Sequence, residues 1–332
     1  GPQLPGAVAD VTRPPTRHRE RGSHGRNDLV SQSRGGHFGE GESRWPAFFR
    51  STPGLRGDHY AFDVVADDPR NTGTADDALV SPKASLIFGP WAETEFYVSG
   101  GYGFHSNDAR GTVTTIDPAS GEAADPVDPL VRSVGGEVGI RTSALPGLRS
   151  TVTLWTVDLD SELLFVGDAG TTEASDGSTR VGLTVANFYR FAPGWSADVD
   201  VSFTRARFVD VTEGEDRIPG AMENVLAAGL TYDTGQNGLT GSLRLRRFGT
   251  YPLIEDNSVR AQANTMANLA LGYRFGDIRL EVQMLNAFDE QLSDIQYFYG
   301  SRLQGEPGGG VDDVHFHPAE PRQFRVRLSW GL

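Results

Sequence analysis

The last strand-length stretch of the chain, residues 323–330, reads QFRVRLSW. Its residues alternate, with Phe324, Val326, Leu328 and Trp330 on one face and Gln323, Arg325, Arg327 and Ser329 on the other. Successive side chains of a strand point to opposite faces, so this stretch predicts a strand with one apolar and one polar face. The same alternation recurs in residues 94–104, 195–205 and 278–284.

The connections between such stretches alternate in length. About twelve strand-length stretches follow one another along the chain. Short turns join some of them, at 89–92, 144–147, 192–194, 234–237 and 276–277. Long polar loops join the others, at roughly 67–77, 106–130, 167–178, 209–221, 250–263 and 288–321. Short turns on one rim and long loops on the other are typical of an up-and-down β-barrel in a bacterial outer membrane.

The alternation by itself fits two architectures. A soluble β-sandwich buries its apolar face and turns its polar face to water, whereas a membrane barrel turns its apolar face to lipid. Three features favour the barrel. The stretches run to about ten residues, as tilted membrane strands do; aromatic residues cluster near their ends; and charged residues lie deep within the polar faces. The sequence therefore predicts an all-β, transmembrane, antiparallel barrel, with a soluble sandwich adhesin as the less favoured alternative.

Composition excludes several classes of protein. The mean hydropathy of −0.36 and the hydrophobic fraction of 38% do not fit a helical membrane protein. No apolar run reaches the roughly 18 residues that a spanning helix needs. There are no cysteines, so neither disulfides nor thiolate metal sites are available. The formal net charge of −14 argues against a nucleic-acid partner.

Residues 1–44 differ from the rest of the chain. They are rich in Gly, Pro, Ser and Arg, poor in aromatic and β-branched residues, and carry no charged-then-apolar signal segment. We therefore expect a disordered arm at 1–44 and a barrel portion at 45–332.

A set of motifs in the barrel portion resembles one family. They are Ser81-Pro82-Lys83, Glu95-Phe96-Tyr97, Gly101-Tyr102-Gly103-Phe104-His105, Ile218-Pro219-Gly220-Ala221 and Leu285-Asn286-Ala287-Phe288-Asp289. Their order and spacing over about 54–332 resemble the C-terminal half of the barrel of TonB-dependent outer-membrane receptors. The last of them looks like the Asn-Leu-Phe-Asp motif that closes the penultimate strand in this family.

The resemblance implies a function and several partners. Family members take up scarce nutrients, most often ferric siderophores, through barrels of about 22 strands that carry a plug domain and contact TonB. About twelve strands and no plug-like segment predict a fragment of such a receptor, truncated or out of frame before residue 45. The implied partners are a small-molecule ligand, outer-membrane lipid, the barrel-assembly machinery and, only in a plug-bearing parent, TonB. A stand-alone twelve-stranded passive pore or ligand-binding barrel is the alternative.

The polar faces and the loops supply the candidate site residues. The residues expected to line the lumen are Arg244, Arg246, Arg279, Glu281, Arg325 and Arg327. Aromatic rings with a polar rim suit capture of a siderophore or another planar ligand. The candidate ligand contacts in the loops are His105, Asn107, Asp108, Arg110, Tyr297, Tyr299 and Arg302.

One loop segment has the composition of a metal site. A His-x-His pair at His315 and His317 follows two carboxylates, Asp312 and Asp313. Two imidazoles on one face of an extended segment, with carboxylates nearby, match transition-metal ligands, whereas a loop that folds over the barrel mouth needs no metal. No cofactor is expected. An enzyme is not expected either. A Ser–His catalytic pair needs both side chains on one face of a strand. His105 and Ser106 are sequence neighbours and would point to opposite faces.

Overall fold

A computed structural model of the chain describes residues 28–45, 47–118, 121–166, 171–302, 304–305, 307 and 310–331. The described residues form a 3-10 turn at Pro69–Asn71 and eighteen strands. The strands are β1 (Leu29–Glu40), β2 (Ser43–Arg44), β3 (Phe49–Val65), β4 (Gly73–Trp91), β5 (Thr94–Ser106), β6 (Leu130–Thr142), β7 (Leu148–Leu159), β8 (Leu163–Val166), β9 (Thr171–Ala174), β10 (Ser178–Ala192), β11 (Trp195–Phe208), β12 (Asn224–Tyr232), β13 (Gly238–Phe248), β14 (Asn264–Phe275), β15 (Ile278–Leu285), β16 (Ser293–Ser301), β17 (Val311–Pro318) and β18 (Gln323–Trp330).

The long strands pair in chain order. One antiparallel sheet runs β1-β3-β4-β5-β6-β7-β10-β11-β12-β13-β14-β15-β18, and the short β2 pairs with β3. The hairpins β8–β9 and β16–β17 lie outside this sheet, within the connections 160–177 and 286–322. The alternation of short and long connections is confirmed. Turns such as 92–93, 193–194 and 276–277 lie at one edge, the short-turn rim, and the long loops lie at the other, the loop rim.

The strand count differs from the prediction in one element. The strands from β3 to β18 give the expected twelve members of the wall, and β1 adds a thirteenth. β1 lies within the arm 1–44 that was expected to be disordered, and the expectation is wrong for residues 29–44. Leu29 to Glu40 pair in continuous register with Val65 to Gly54, so backbone hydrogen bonds to β3 supply the order that the side chains do not signal. Residues 1–27 of the predicted arm lie outside the described residues.

The two ends of the sheet are not joined. In the described part of the chain, β18 pairs only with β15, and β1 pairs only with β3. A stand-alone closed pore requires the first and last strands to pair with each other. The described pairing therefore gives that alternative no support.

The two faces of the sheet differ in chemistry, as the alternation predicts. One face carries large apolar side chains that remain exposed, such as Leu154 (55% exposed) and Leu271 (71%). The opposite face carries ion pairs and hydrogen-bonded polar groups. Exposed apolar side chains along a whole sheet face indicate contact with lipid rather than water. No helix of the described residues is long and apolar enough to span a membrane.

Aromatic rings concentrate on the apolar face near the short-turn rim. Phe49 stacks on Phe88 with ring centroids 5.1 Å apart, and Trp195 lies 4.9 Å from Tyr232 across β11 and β12. Further pairs join Tyr273 to Phe275 and Phe48 to Trp91. Such a band fits the interface between hydrocarbon and headgroups.

Candidate ligand-binding surface at the loop rim

The hairpin β16–β17 presents two different faces. Residues directly opposite each other in an antiparallel pair share a face. Phe298 and Val314 form one such pair, and Tyr297 and His315 form the next on the opposite face. The hairpin therefore has one face for docking and one that carries the predicted tyrosine and histidine residues.

The docking face packs on the neighbouring loop 249–263. Phe298 and Val314 lie against a small core of Tyr251, Leu253 and Ala261, each of which is 5% exposed or less. Two hydrogen bonds then join Gln262 and Gln296. The Gln262 backbone N–H donates to the Gln296 Oε1 at 3.2 Å, and the Gln296 Nε2 donates to the Gln262 carbonyl at 3.3 Å. Burial beneath the hairpin raises the pKa of the Tyr251 phenol.

The outward face carries an aromatic and imidazole stack. The rings of Tyr299 and His315 lie 3.9 Å apart at 17°, and the His315 Nε2 lies 3.1 Å from the Tyr299 carbonyl oxygen. Tyr297 is directly opposite His315 in the register. Arg302 follows β16 at the free end of the hairpin. The structure thus brings Tyr297 and Tyr299 onto one surface, which suits stacking with a planar ligand.

The four residues predicted to bind a metal are not gathered into one group. Asp313, His315 and His317 share a face of β17 by alternation, whereas Asp312 points to the other. His317 is paired instead with Asp294, its Nδ1 lying 3.6 Å from the Oδ2. Nowhere in the described ranges do three or more His, Cys, Asp or Glu side chains form a group that could hold a metal ion. The metal site therefore stays a prediction without geometric support.

The other predicted contacts lie at the start of loop 107–129. Asn107 is buried and its Nδ2 donates to the Asp128 carbonyl at 2.7 Å, so it ties the two ends of the loop together. Asp108 accepts from the Arg110 backbone N–H at 2.9 Å and from the Arg110 Nη2 at 2.5 Å. This hydrogen-bonded pair raises the pKa of Arg110. The Nε2 of His105 is buried and has no hydrogen-bond partner among the described residues.

These two groups of predicted residues are far apart in the sheet. Loop 107–129 follows β5, and the hairpin precedes β18; eight strands lie between β5 and β18 in the sheet order. Asn107, Asp108 and Arg110 are occupied by contacts within their own loop. The hairpin surface with Tyr297 and Tyr299 is therefore the better-formed candidate for ligand contact.

The predicted lumen residues lie on the polar face of strands β13 to β18. Arg279 donates to the Glu281 Oε2 at 2.7 Å and lies 3.6 Å from the Asp233 Oδ2. Arg327 lies directly opposite Glu281 in the register. Arg244 pairs with Asp198, whereas the Arg246 guanidinium lies 4.9 Å from the centroid of the Phe248 ring. Arg325 donates to the Gln323 Oε1 at 3.2 Å.

Carboxylates neutralise only some of these arginines. On this face Arg244 forms an ion pair with Asp198, Arg274 with Asp233, and Arg279 with Glu281. In the part of the chain that the structure describes, Arg246, Arg325 and Arg327 have no carboxylate partner within ion-pair distance. This part of the polar face is therefore positively charged, which favours anions.

A cavity at the loop rim has the opposite charge to this part of the polar face. It measures about 740 Å³ and lies between the connections 160–177, 209–223 and 249–263. Its lining includes five carboxylates, from Asp176, Asp210, Glu215, Glu255 and Asp256. An anionic ligand is therefore favoured on the arginine side of the polar face and disfavoured at this cavity.

Sequence reasoning missed several residues that build the site. Asp198 and Asp233 were not singled out, although Asp198 pairs with the predicted Arg244 and Asp233 lies 3.6 Å from the predicted Arg279. Arg274, which pairs with Asp233, was missed as well. The alternation within each strand predicts which face of the sheet these side chains lie on, but it does not predict which residue each of them pairs with. Phe298, Gln296 and Gln262 were missed because docking of a hairpin on a loop leaves no periodic pattern.

A wall of long antiparallel strands, apolar on one face and charged on the other, with long loops on one rim only, defines a membrane-spanning β-barrel protein. The chain belongs to the TonB dependent receptor-like β-barrel family, whose model matches residues 8–287. That family consists of receptors and transporters, not enzymes, and its homologues are outer-membrane proteins.

Three known receptors are similar to this chain. The pesticin receptor of Yersinia enterocolitica is 26% identical over 196 residues, covering 56% of this chain and 28% of the receptor. The ferric yersiniabactin uptake receptor FyuA from Yersinia pestis aligns with a TM-score of 0.69 at 17% identity, over 91% of this chain and 46% of FyuA. The ferric-catecholate import receptor Fiu from E. coli K12 aligns with a TM-score of 0.70 at 16% identity, over 92% and 45%. The chain thus spans about half or less of each protein.

Proposed function

We propose that this chain is the barrel portion of an outer-membrane uptake receptor whose ligand is a small anionic metal chelate, such as a ferric siderophore. The family and its uptake receptors support the receptor role. The observation that carries the choice of ligand is the set of arginines without carboxylate partners on the polar face: Arg246, Arg325 and Arg327. Guanidinium groups bind carboxylate and catecholate oxygens through charge-assisted hydrogen bonds.

The outward face of the hairpin supports the same class of ligand. Tyr297, Tyr299 and His315 offer flat rings at the loop rim, where a ligand arrives from outside. Tyr297, Tyr299 and Arg302 are the contacts we propose for first capture. His105, Asn107, Asp108 and Arg110 remain a second proposed contact region, and Asp312, Asp313, His315 and His317 a proposed metal contact that the described geometry does not gather.

The remaining roles follow from the receptor proposal. Arg244, Arg246, Arg279, Glu281, Arg325 and Arg327 would line the ligand's path through the outer membrane. TonB would act only on a parent protein that carries a plug, and the barrel-assembly machinery would insert the strands. We propose no catalytic role for the chain.

A binding measurement on the refolded chain tests the proposal. Quenching of tryptophan fluorescence would be recorded with an anionic ferric tris-catecholate and, for comparison, with a neutral ferric hydroxamate. The double variant Arg325→Gln/Arg327→Gln should weaken binding of the anionic chelate by about tenfold or more, the scale of one charged hydrogen bond.

The matched control is Arg205→Gln. Arg205 is exposed on the apolar face, so its loss changes charge without touching the polar face. Arg205→Gln should leave binding unchanged. Equal weakening in Arg205→Gln and the double variant, or no preference for an anionic over a neutral chelate, would refute the proposal.

A further inference from the structure

Asn237 and Gly238 join β12 to β13 at the short-turn rim. Asn237 is the only asparagine of the sequence that a glycine follows. It is exposed and ends the connection 233–237, and Gly238 is the first residue of β13. The side-chain amide of an asparagine can react with the backbone nitrogen of the next residue, and glycine obstructs this reaction least because it has no side chain. The reaction takes place in water, to which this turn is open.

The surroundings of Gly238 leave the approach to its nitrogen open. A Cβ built at this position would meet no heavy atom within 4 Å. The φ angle of Gly238 is +132°, a conformation that residues with side chains rarely adopt. Gly238 pairs with Arg274 at the last position of the β13–β14 ladder, and the ends of strands open more easily than their centres. The turn therefore requires glycine here and leaves its nitrogen uncrowded.

A backbone donor is already bound to the amide oxygen of Asn237. The Gly276 N–H, in the turn between β14 and β15, donates to the Asn237 Oδ1 at 2.6 Å. Negative charge builds up on this oxygen when a nucleophile adds to the amide carbon, and a donor that is in place beforehand stabilises that charge. The Gly276 N–H therefore lies where it can assist attack on the Asn237 Cγ.

We propose that Asn237 is a site of spontaneous deamidation in the folded chain. The Gly238 nitrogen gives its proton to hydroxide and bonds to the Asn237 Cγ. The side-chain nitrogen then takes up a proton from water, its bond to the Cγ breaks, and ammonia leaves. Water opens the resulting cyclic imide at either of its two carbonyl groups, which gives aspartate or isoaspartate at position 237.

The two products differ in their effect on the short-turn rim. The hydrogen bond from Gly276 to Asn237 joins the turn 276–277 to the connection 233–237. Aspartate keeps an acceptor oxygen in the same place and adds one negative charge. In isoaspartate the main chain runs through the side-chain carbons, so the connection lengthens and the acceptor moves. Isoaspartate should therefore separate the two turns.

Peptide mass spectrometry of the refolded chain, aged at pH 8, tests the site. Asn257 is the internal comparison, because it lies in a loop, precedes the small residue Ser258, and also accepts a hydrogen bond at its Oδ1, from Arg260. Asn237 should gain the mass that replacement of NH2 by OH adds about tenfold or more faster than Asn257. Equal rates at the two asparagines would overturn the proposal.

Two variants place the reaction at one residue. Asn237→Gln keeps a side-chain amide, but its cyclisation needs a larger ring that closes far more slowly, so this variant should lose most of the ammonia release of the native chain. Asn257→Gln is the matched control and should release as much ammonia as the native chain. Undiminished release from Asn237→Gln would place the reaction elsewhere in the chain and exclude Asn237 as its main site.

Unfolding in urea tests the role of the Gly276 donor. A fixed backbone holds most asparagines away from the geometry of attack, so folding should slow deamidation of Asn257 by about tenfold or more. Asn237 should stay within about threefold of its unfolded rate, since the folded turn supplies a donor that the unfolded chain lacks. Equal slowing of both asparagines by folding would contradict the role of the donor.

The isoaspartate product has its own measurement. The aged chain should accept methyl groups from protein isoaspartyl methyltransferase, and freshly refolded chain should not. In the methylated fraction the Gly276 amide should exchange hydrogen faster than in Asn237→Asp, which keeps the acceptor. An aged chain that accepts no methyl groups, or a Gly276 amide equally protected in both proteins, would refute the separation of the turns.

Discussion

Arg244 of β13 and Asp198 of β11 are joined across the strand that separates them. The Arg244 Nη1 lies 2.5 Å from the Asp198 Oδ1 and 2.7 Å from its Oδ2. Gly229 of β12 pairs with Asp198 on one side and with Arg244 on the other. A Cβ at Gly229 would lie 2.6 Å from the Asp198 Oδ1 and 2.7 Å from the Arg244 Cζ, so the ion pair fills the space that a side chain would take.

The same arrangement recurs elsewhere in the wall. Lys83 of β4 reaches Glu40 of β1 at 2.5 Å across Gly54 of β3. In the third case the Tyr97 hydroxyl of β5 lies 2.5 Å from the Thr153 Oγ1 of β7, with Gly139 of β6 between them. Glycine costs stability within a strand, and here it makes room for links between strands that are not neighbours.

Gly229→Ala should lower the stability of the barrel. The added methyl displaces Arg244 or Asp198, and we expect a loss of about 1 kcal/mol, small because both side chains are partly exposed to solvent. The midpoint of urea unfolding in lipid vesicles measures it. Gly136→Ala is the control, since its Cβ would make an ordinary contact at 3.7 Å with the Ser99 carbonyl. A Gly229→Ala variant as stable as Gly136→Ala would contradict the prediction.

Ala227→Gly should create a second bridge of this kind. Ala227 lies between Asp200 and Arg246 in the register, and Arg246 instead lies over the Phe248 ring. In the native chain the coupling energy between Asp200 and Arg246 should be near zero. In Ala227→Gly it should rise to about 0.5–1 kcal/mol, as measured by a double-mutant cycle. The Asp198–Arg244 pair is the positive control. An unchanged coupling would show that the intervening methyl is not what separates the pair.

Asn71→Ala should release part of loop 107–129. The Asn71 side chain is 1% exposed; its Nδ2 donates to the Ile116 carbonyl at 2.8 Å, and its Oδ1 accepts from the backbone N–H groups of Thr115 and Ile116. Loss of these hydrogen bonds leaves buried polar groups without partners, which should lower the local stability of the loop by about 2–3 kcal/mol. Hydrogen exchange of the two amides should accelerate. Asn71→Asp keeps the acceptor and should protect them better; equal exchange in all three proteins would contradict this role.

Phe298→Ala should loosen the hairpin β16–β17 from loop 249–263. Phe298 packs on the core that contains Tyr251 and Leu253, and its removal should cost about 2 kcal/mol of local stability. Limited proteolysis should then cut faster within residues 293–318. Phe316→Ala is the matched control, because Phe316 lies on the same hairpin face but is 62% exposed. Similar cleavage of both variants would mean that Phe298 does not anchor the hairpin.

Asp68 should show a stabilising role that depends on pH. Hydrogen bonds from the Arg70 side chain, and then from its backbone N–H, lower the pKa of Asp68 from 3.8 to about 2. A lowered folded-state pKa contributes stability above the unfolded value, so the contribution is complete above pH 3.8 and lost as the pH falls through about 2. A carboxyl-carbon NMR titration measures this pKa. In Asp68→Asn the turn at Pro69–Asn71 should exchange faster than in the native chain at pH 6, and this difference should shrink as the pH falls towards 2.

The pattern of residues along the chain is enough to predict the wall. The alternation in QFRVRLSW and in the stretches like it set which side chains share a face, because a strand has a strict period of two. The unequal connections set the two rims, and the motifs from Ser81 to Asp289 pointed to the family. These features lie within single stretches of the sequence, so they can be predicted without knowing which strands are neighbours in the sheet.

Contacts between strands and between loops follow from the folded sheet and not from the residue pattern. β1 was missed because its order comes from hydrogen bonding to β3 and not from its own apolar content. The bridge over Gly229 and the docking of Phe298 join residues that are distant in sequence, with separations fixed by register and loop path. The pairing of β4 with β5 ends at Lys83, beside Pro82, because beyond this point β4 pairs only with β3 and β5 only with β6. Such contacts are set by the free energy of the whole sheet, and no periodicity in the chain encodes them.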